Sequence, residues 1–190
     1  MTYLFFDFCP RVFHQIRTLY GITPHEYLKS IGPENIIGSM VMGNINTLTE
    51  QCSTGKSGSF FYYTPDSKYM MKTISHSEFE RLKFILKNYY EHLAKYPHSL
   101  ITRYFGLHKI KYKTESGGVQ RIYFIIMANV FNTTRSIDTR YDLKGSKHGR
   151  MTRKNPTDVV EPGVALKDLD FDKDNISLDL DPIDKAALMK

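Results

Sequence analysis

Apolar residues recur along this chain with two different periods, and the change of period marks its elements. Over residues 10–20 they fall at Val12, Phe13, Ile16, Leu19 and Tyr20, the three-and-four spacing of a helix face. Pro10 suits a first helical turn and Gly21 a C-terminal stop. Thr23 with Glu26 three residues later, and Pro24 at the first helical position, predict a second short helix to about Lys29. Residues 36–65 read as strands. Phe60, Phe61, Tyr62 and Tyr63 are β-prone and Thr64-Pro65-Asp66-Ser67-Lys68 is a turn, so residues 59–64 and 69–74 are predicted as a hairpin. Residues 77–96 then run without Gly or Pro. They place Phe79, Leu82, Ile85, Leu86, Tyr89, Tyr90 and Leu93 on one face of a long helix, capped by Ser75 or Ser77. Residues 100–112 and 120–131 are predicted as strands about a Glu115-Ser116-Gly117-Gly118 turn, with a further short strand at 140–143. Past Gly145 a basic loop gives way to an acidic, proline-punctuated tail, with a helix from near Pro182. An antiparallel sheet backed by one long helix is an α+β layer.

Composition narrows the class. A chain of 190 residues suits one domain or one lobe of a larger enzyme, and 41% hydrophobic with 13% aromatic residues excludes global disorder. The net charge of +6 is uneven: residues 161–190 hold eight acids against four bases, leaving residues 1–160 at +10. A basic body favours polyanions such as nucleotides, phosphoinositide headgroups or nucleic acid, although an ordinary solvated lysine surface carries the same charge. Two cysteines, Cys9 and Cys52, do not make a secreted scaffold, which points to a reducing, cytoplasmic compartment. The first ten residues lack a basic segment and contain Asp7, so they are no signal peptide. The longest apolar run, residues 123–131, is broken by Asn129 and too short to span a bilayer, so membrane contact is expected to be peripheral.

Three stations have chemistry suited to phosphate. Gly55-Lys56-Ser57-Gly58-Ser59 precedes a strand, and its glycines let backbone amides approach an anion closely. It is not a P-loop, because Glu50 stands where that motif requires glycine; a plain hairpin turn has the same composition. Lys72, in Met70-Met71-Lys72-Thr73, sits on the following strand. In protein kinases a strand lysine meets the nucleotide phosphates and a helix carboxylate orients it. Glu78, Glu80 and Glu91 are the candidate carboxylates. Glu91 has the conventional spacing, nineteen residues on, and Glu78 lies in a first turn where the helix dipole favours an acid; spacing does not choose between them. A solvent-facing edge lysine is the plainer alternative for Lys72. The third station is Asp142-Leu143-Lys144-Gly145-Ser146, where Lys144 suits a phosphate, Gly145 lets the backbone turn and Ser146 offers a hydroxyl. Arg140, Lys147, Arg150, Arg153 and Lys154 cluster around it. A solvated basic loop or a nucleic-acid patch has the same composition, but no RNA-binding aromatic signature accompanies it, so no nucleic-acid partner is expected. The seven histidines are scattered without metal-ligand spacing, and no metal ligands are assigned. Asp170-Phe171-Asp172-Lys173-Asp174 resembles the start of an EF-hand loop, but Asn175 replaces the turn glycine and Asp181 the bidentate glutamate. It reads as a solvated acidic segment.

Taken in order, these stations resemble the phosphatidylinositol phosphate kinases. The resemblance is carried by Asp7-Phe8-Cys9-Pro10-Arg11-Val12-Phe13, by residues 55–61, Lys72-Thr73, Tyr89-Tyr90-Glu91-His92, Thr102-Arg103-Tyr104-Phe105-Gly106-Leu107-His108, the signature Tyr141-Asp142-Leu143-Lys144-Gly145-Ser146, and Leu166-Lys167-Asp168-Leu169-Asp170-Phe171. It implies the amino-terminal lobe of a protein-kinase-like lipid kinase: a helical segment at 1–35, an ATP-binding lobe at 36–146, and a basic loop and acidic tail at 147–190 leading to a carboxy-terminal lobe. The implied activity is transfer of the ATP γ-phosphate, with Mg²⁺, to an inositol hydroxyl of a membrane phosphoinositide. Glu91 and Leu100-Ile101-Thr102-Arg103 favour phosphatidylinositol 4-phosphate as substrate, phosphorylated at the 5-position, over the sister class acting on the 5-phosphate; a non-catalytic scaffold with the same fold is a further alternative. Lys72 and Lys144 would be catalytic. Gly55, Ser57, Gly58, Ser59, Lys72, Lys144 and Ser146 would contact the nucleotide phosphates, and Met127 and Asn129 would lie in the hinge that holds adenine. The implied partners are ATP, a phosphoinositide in an anionic surface on the cytoplasmic face of membranes, and a second copy through the amino-terminal lobe. The family's Met-Asp-Tyr-Ser-Leu-Leu and Ile-Ile-Asp motifs do not occur in the sequence, so the chain by itself is expected to be an inactive fragment.

Overall fold

A computed structural model describes residues 3–32, 61–113, 117–155, 158–161, 163–177 and 180–188. The chain divides into two compact units, Met1–Asn132 and Thr133–Lys190. The glycine loop at 55–59, the strands expected within 36–60, Cys52 and the first half of the 115–118 turn lie outside the described residues.

In the first unit, strand β1 (Tyr3–Asp7) is followed by helices α1 (Pro10–Leu19) and α2 (Pro24–Ile31). Then come strands β2 (Phe61–Tyr63) and β3 (Tyr69–Ile74), helix α3 (His76–Lys95), and strands β4 (Tyr104–Lys113) and β5 (Val119–Ala128). The five strands form one antiparallel sheet in the order β1-β4-β5-β3-β2. The α+β expectation holds. Strand β1 was not foreseen, because all five of its residues are exposed and its run of apolar residues does not alternate.

Each helix starts where its local chemistry dictates. Thr23 caps α2 in a reciprocal box with Glu26, and Gly21, at φ +68°, turns the chain after α1. Ser75, rather than Ser77, caps α3: its hydroxyl accepts the Glu78 N–H, while the Glu78 carboxylate accepts the Ser75 N–H. The face of α3 foreseen from spacing is the buried one, with Phe79, Leu82, Leu86, Tyr89 and Leu93 in the core beside Leu107, Ile110, Phe124 and Ile126. The Tyr89 hydroxyl donates to the Thr102 carbonyl at 2.8 Å and accepts the Tyr104 N–H at 2.8 Å, which ties the end of α3 to the start of β4.

A bulge between Tyr104 and Gly106 interrupts β4. There Arg17 of α1 donates to the Phe105 carbonyl at 2.6 Å, and its guanidinium lies 4.2 Å from the centre of the Tyr27 ring. Gly106 has no room for a side chain: a Cβ would stand 2.4 Å from His108 Nε2 and 2.5 Å from the Tyr27 hydroxyl, both rings being buried. Gly106→Ala is therefore expected to lower stability by about 1–3 kcal/mol, read from urea unfolding, since it overpacks a closed site. An unchanged midpoint would mean that the two rings move aside freely.

The second unit contains two short parallel strands, β6 (Arg140–Tyr141) and β7 (Ala165–Leu166), helix α4 (Asp168–Lys173) and helix α5 (Pro182–Leu188). Its buried centre is small: among the described residues only Leu166 and Asp170 are fully enclosed. The Tyr141 ring meets the Phe171 ring edge-on at 5.2 Å. Strand β7 and helix α4 were not foreseen, being only two and six residues long.

Candidate functional site

Lys72 stands in the middle of β3, paired in register with Phe61 of β2 and Ile125 of β5. Its ammonium lies 3.8 Å from Glu78 Oε1 and 5.9 Å from the centre of the Phe61 ring, with 26% of the side chain exposed. The open choice between three glutamates is thereby resolved. Helix α3 begins two residues after β3 ends, so a first-turn carboxylate falls beside the strand lysine. Glu91 lies thirteen residues further along, about 20 Å at the helical rise, and faces Lys87 at 3.9 Å. Glu80 is taken by Lys83 at 3.1 Å. Glu78 thus has two tasks: one carboxylate oxygen caps the helix and the other faces Lys72. The Ser75 backbone N–H, then the Ser75 hydroxyl and Lys72, hold its carboxyl below the ordinary glutamate range. The pair borders a cavity of about 430 Å³, whose other walls include Arg81, Leu82, Tyr104 and Ile125.

The hinge candidates lie at the end of β5. Met127 is buried, paired with Met70 on one side and Tyr104 on the other. The Ala128 N–H donates to the Arg103 carbonyl and the Asn129 N–H to the Lys68 carbonyl. The Asn129 side-chain amide donates to the Ser67 carbonyl at 2.7 Å and accepts the Phe131 N–H at 3.0 Å, pinning this segment to the β2–β3 turn.

The signature segment belongs to the second unit, where Lys144 and three of the bases clustered around it are paired with aspartates. Lys144 Nζ contacts Asp142 Oδ2 at 2.6 Å. Arg150 is held by both Asp142 and Asp168, Arg153 by Asp174, and Lys147 by Asp172. The reading of 170–174 as a solvated acidic segment is corrected, because β7 and α4 return these aspartates to the basic loop. Asp170, 1% exposed, accepts the backbone N–H groups of Thr152, Arg153 and Lys167 at 2.8, 3.1 and 3.0 Å. Burial pushes its carboxyl up, but those three donors outweigh burial and leave it below the ordinary aspartate range. Asp174 accepts the Tyr141 hydroxyl at 2.5 Å and pairs with Arg153.

The backbone amides of the signature are also engaged. The N–H groups of Lys144, Gly145 and Ser146 converge on Asp168 Oδ1 at 2.9, 2.8 and 3.4 Å, with Gly145 at φ +66° making the turn. Arg150 Nε meets Asp168 Oδ2 at 2.8 Å, and this pairing first, then the N–H donors, holds the Asp168 carboxyl far below its usual range. Asp142, Asp168, Asp170 and Asp174 were missed as framework residues. The available signal was alternation, with aspartates at 168, 170, 172 and 174 spaced to present different faces to a returning basic loop.

Fold and site define an α+β protein in which a strand lysine meets a helix-capping glutamate beside a cavity, with an aspartate-clasped lysine loop in a second unit. The family model described as Phosphatidylinositol-4-phosphate 5-Kinase matches residues 42–190. The chain is 43% identical over 188 residues to a phosphatidylinositol 4-phosphate 5-kinase of Plasmodium falciparum, covering 98% of this chain and 11% of that protein. It is 41% identical over 165 residues to phosphatidylinositol 4-phosphate 5-kinase 1 of Arabidopsis thaliana and 43% identical over 165 to number 3. Each match covers 87% of this chain and 20% and 21% of those proteins. The chain belongs to the phosphatidylinositol-4-phosphate 5-kinase family. It spans about a tenth to a fifth of the length of these curated relatives.

Proposed function

We propose that this chain carries the nucleotide-phosphate-binding part of an ATP-dependent lipid kinase that phosphorylates phosphatidylinositol 4-phosphate at the 5-position. The observation that supports it most is the Lys72–Glu78 pair beside a cavity, in a chain of a family whose relatives bear that activity in their names. The sheet, the helix behind it and the strand lysine fit the amino-terminal lobe of a protein-kinase-like enzyme. Lys72 neutralises the nucleotide phosphates, and Glu78 keeps its ammonium from folding back on the sheet. Gly55, Ser57, Gly58 and Ser59 cover those phosphates, and Met127 and Asn129 lie against adenine. Lys144 and Ser146 act at the transferred group, with Lys144 using its ammonium.

ATP is the phosphoryl donor, bound as its Mg²⁺ complex. Asp168, Asp170 and Asp174 do not fit as metal ligands, because both oxygens of each are already held by N–H, guanidinium or hydroxyl donors, so no step is assigned to the metal. The substrate lies in an anionic bilayer, at the cytoplasmic face. Among the described residues no helix is long and apolar enough to cross a membrane, and each near-surface base contributes about 1 kcal/mol to attachment. A second copy is the proposed protein partner, through the exposed β1 edge with its uncovered Leu4 and Phe5.

The test uses the full-length gene product with γ-labelled ATP and vesicles carrying phosphatidylinositol 4-phosphate, phosphatidylinositol 5-phosphate or neither. Label is expected in the 4-phosphate lipid alone, and Lys144→Ala is expected to cut it about a hundredfold or more. Label in the 5-phosphate lipid instead would move the protein to the sister activity. No label in either, with ATP still bound, would leave a scaffold.

A further inference from the structure

We propose that Asp168 is a positioning residue for Lys144: its carboxylate locks the backbone of residues 144–146 so that the Lys144 ammonium is presented to a phosphate. This deepens the kinase reading and rests on it.

Three consecutive N–H groups pointing at one spot, with a left-handed glycine in the middle, make the concave donor array that elsewhere receives an anion. Here that anion is supplied by the chain itself. Asp168 Oδ1 takes all three N–H groups, and the carboxylate is only 12% exposed. Its other oxygen takes Arg150 Nε, and the same guanidinium reaches the Asp142 carbonyl and carboxylate. One aspartate therefore sets the turn at Gly145 and, through Arg150, the residue on which the Lys144 ammonium rests.

Two consequences follow for phosphate recognition. The 144–146 amides are not available to a phosphate, so recognition at this loop falls to side chains, the Ser146 hydroxyl and above all the Lys144 ammonium, whose side chain is 59% exposed. Its pairing with Asp142 is exposed and therefore weakly held, which lets the ammonium exchange that carboxylate for a phosphate oxygen. Without Asp168 the loop gains backbone freedom, and the ammonium must be ordered each time a nucleotide binds. The loss should appear only when there is an ammonium to order.

That condition gives the test. In the full-length gene product, affinity for ATP with Mg²⁺ is measured by calorimetry, and turnover on phosphatidylinositol 4-phosphate vesicles is measured alongside. The set is wild type, Asp168→Ala, Lys144→Ala and the double variant. Asp168→Ala is expected to weaken ATP about tenfold, and less than twofold when Lys144 is already alanine, since groups acting as one unit are not additive. An equal loss in both backgrounds, or no loss in either, would overturn the positioning role. Should Asp168→Ala fail to fold in urea titration, the same cycle with Asp168→Glu decides. That variant keeps the charge but displaces the accepting oxygen, and it is expected to show the same dependence on Lys144. Wild-type affinity and turnover in Lys144→Ala alone would instead sink the kinase role of Lys144 and leave the loop geometry untouched.

Discussion

Lys72→Ala in the full-length gene product is expected to lower phosphoryl transfer by about two to three orders of magnitude, the usual consequence of removing one preorganised charge from a developing anion. The fold should hardly notice. Lys72 is partly exposed and its 3.8 Å approach to Glu78 is loose, so the pair contributes about 1 kcal/mol or less. Glu78 keeps its capping role when the lysine is gone, because its hydrogen bonds to Ser75 involve the other carboxylate oxygen. Initial rates with γ-labelled ATP, together with urea midpoints, check both halves. Turnover within a few-fold of wild type would remove Lys72 from the nucleotide site. A large fall in the midpoint would show that the lysine is structural. Glu91→Gln offers an internal contrast: that carboxylate faces Lys87 on the surface, and turnover should be unchanged.

Asp170→Ala is expected to unfold the second unit, at a cost of about 3 kcal/mol or more, because three backbone N–H groups would lose a charged, buried acceptor together. Little else encloses that unit's centre besides Leu166. Hydrogen exchange should then become fast at the amides of Thr152, Arg153 and Lys167 while the β4–β5 amides stay protected. Retained protection at those three amides would mean that water or a neighbour replaces the carboxylate. Acid should reproduce the lesion. Asp142, Asp168, Asp170 and Asp174 all have carboxyls below their ordinary range in the folded chain. Depressed values contribute stability that is fully present above the unfolded aspartate pKa, about 3.9. It is lost as pH falls below that value through the folded ones. The second unit should therefore hold from pH 5 to 8 and open progressively below about pH 4. Opening at neutral or alkaline pH would contradict the aspartate account.

Helices were legible because their signals act over three or four residues. The Thr23–Glu26 and Ser75–Glu78 boxes, the apolar stripe of α3 and Gly21 each act within about one turn of the chain. The hairpin of β2 and β3 was legible from its turn, where Asp66 accepts the Thr64 hydroxyl and the Lys68 N–H. Strand β1 was not legible, since its pairing with β4 joins residues about a hundred positions apart and leaves no alternation behind. At the site, Lys72 and Lys144 stood out from their motifs, but their partners did not. Kinase spacing favoured Glu91 as readily as Glu78, and the choice turned on where α3 begins relative to β3.

The sequence by itself determined where the helices lie, the α+β order and the family, and it singled out two lysines, because those follow from neighbouring residues and from motif. Tertiary structure alone decided which glutamate meets Lys72, and that Lys147, Arg150 and Arg153 are answered by aspartates of 168–174. Charge counted along a chain gives only a sum. Whether a basic loop is a free anion site or half of an ion-pair network depends on where a later segment returns, and here β7 and α4 bring the acids back.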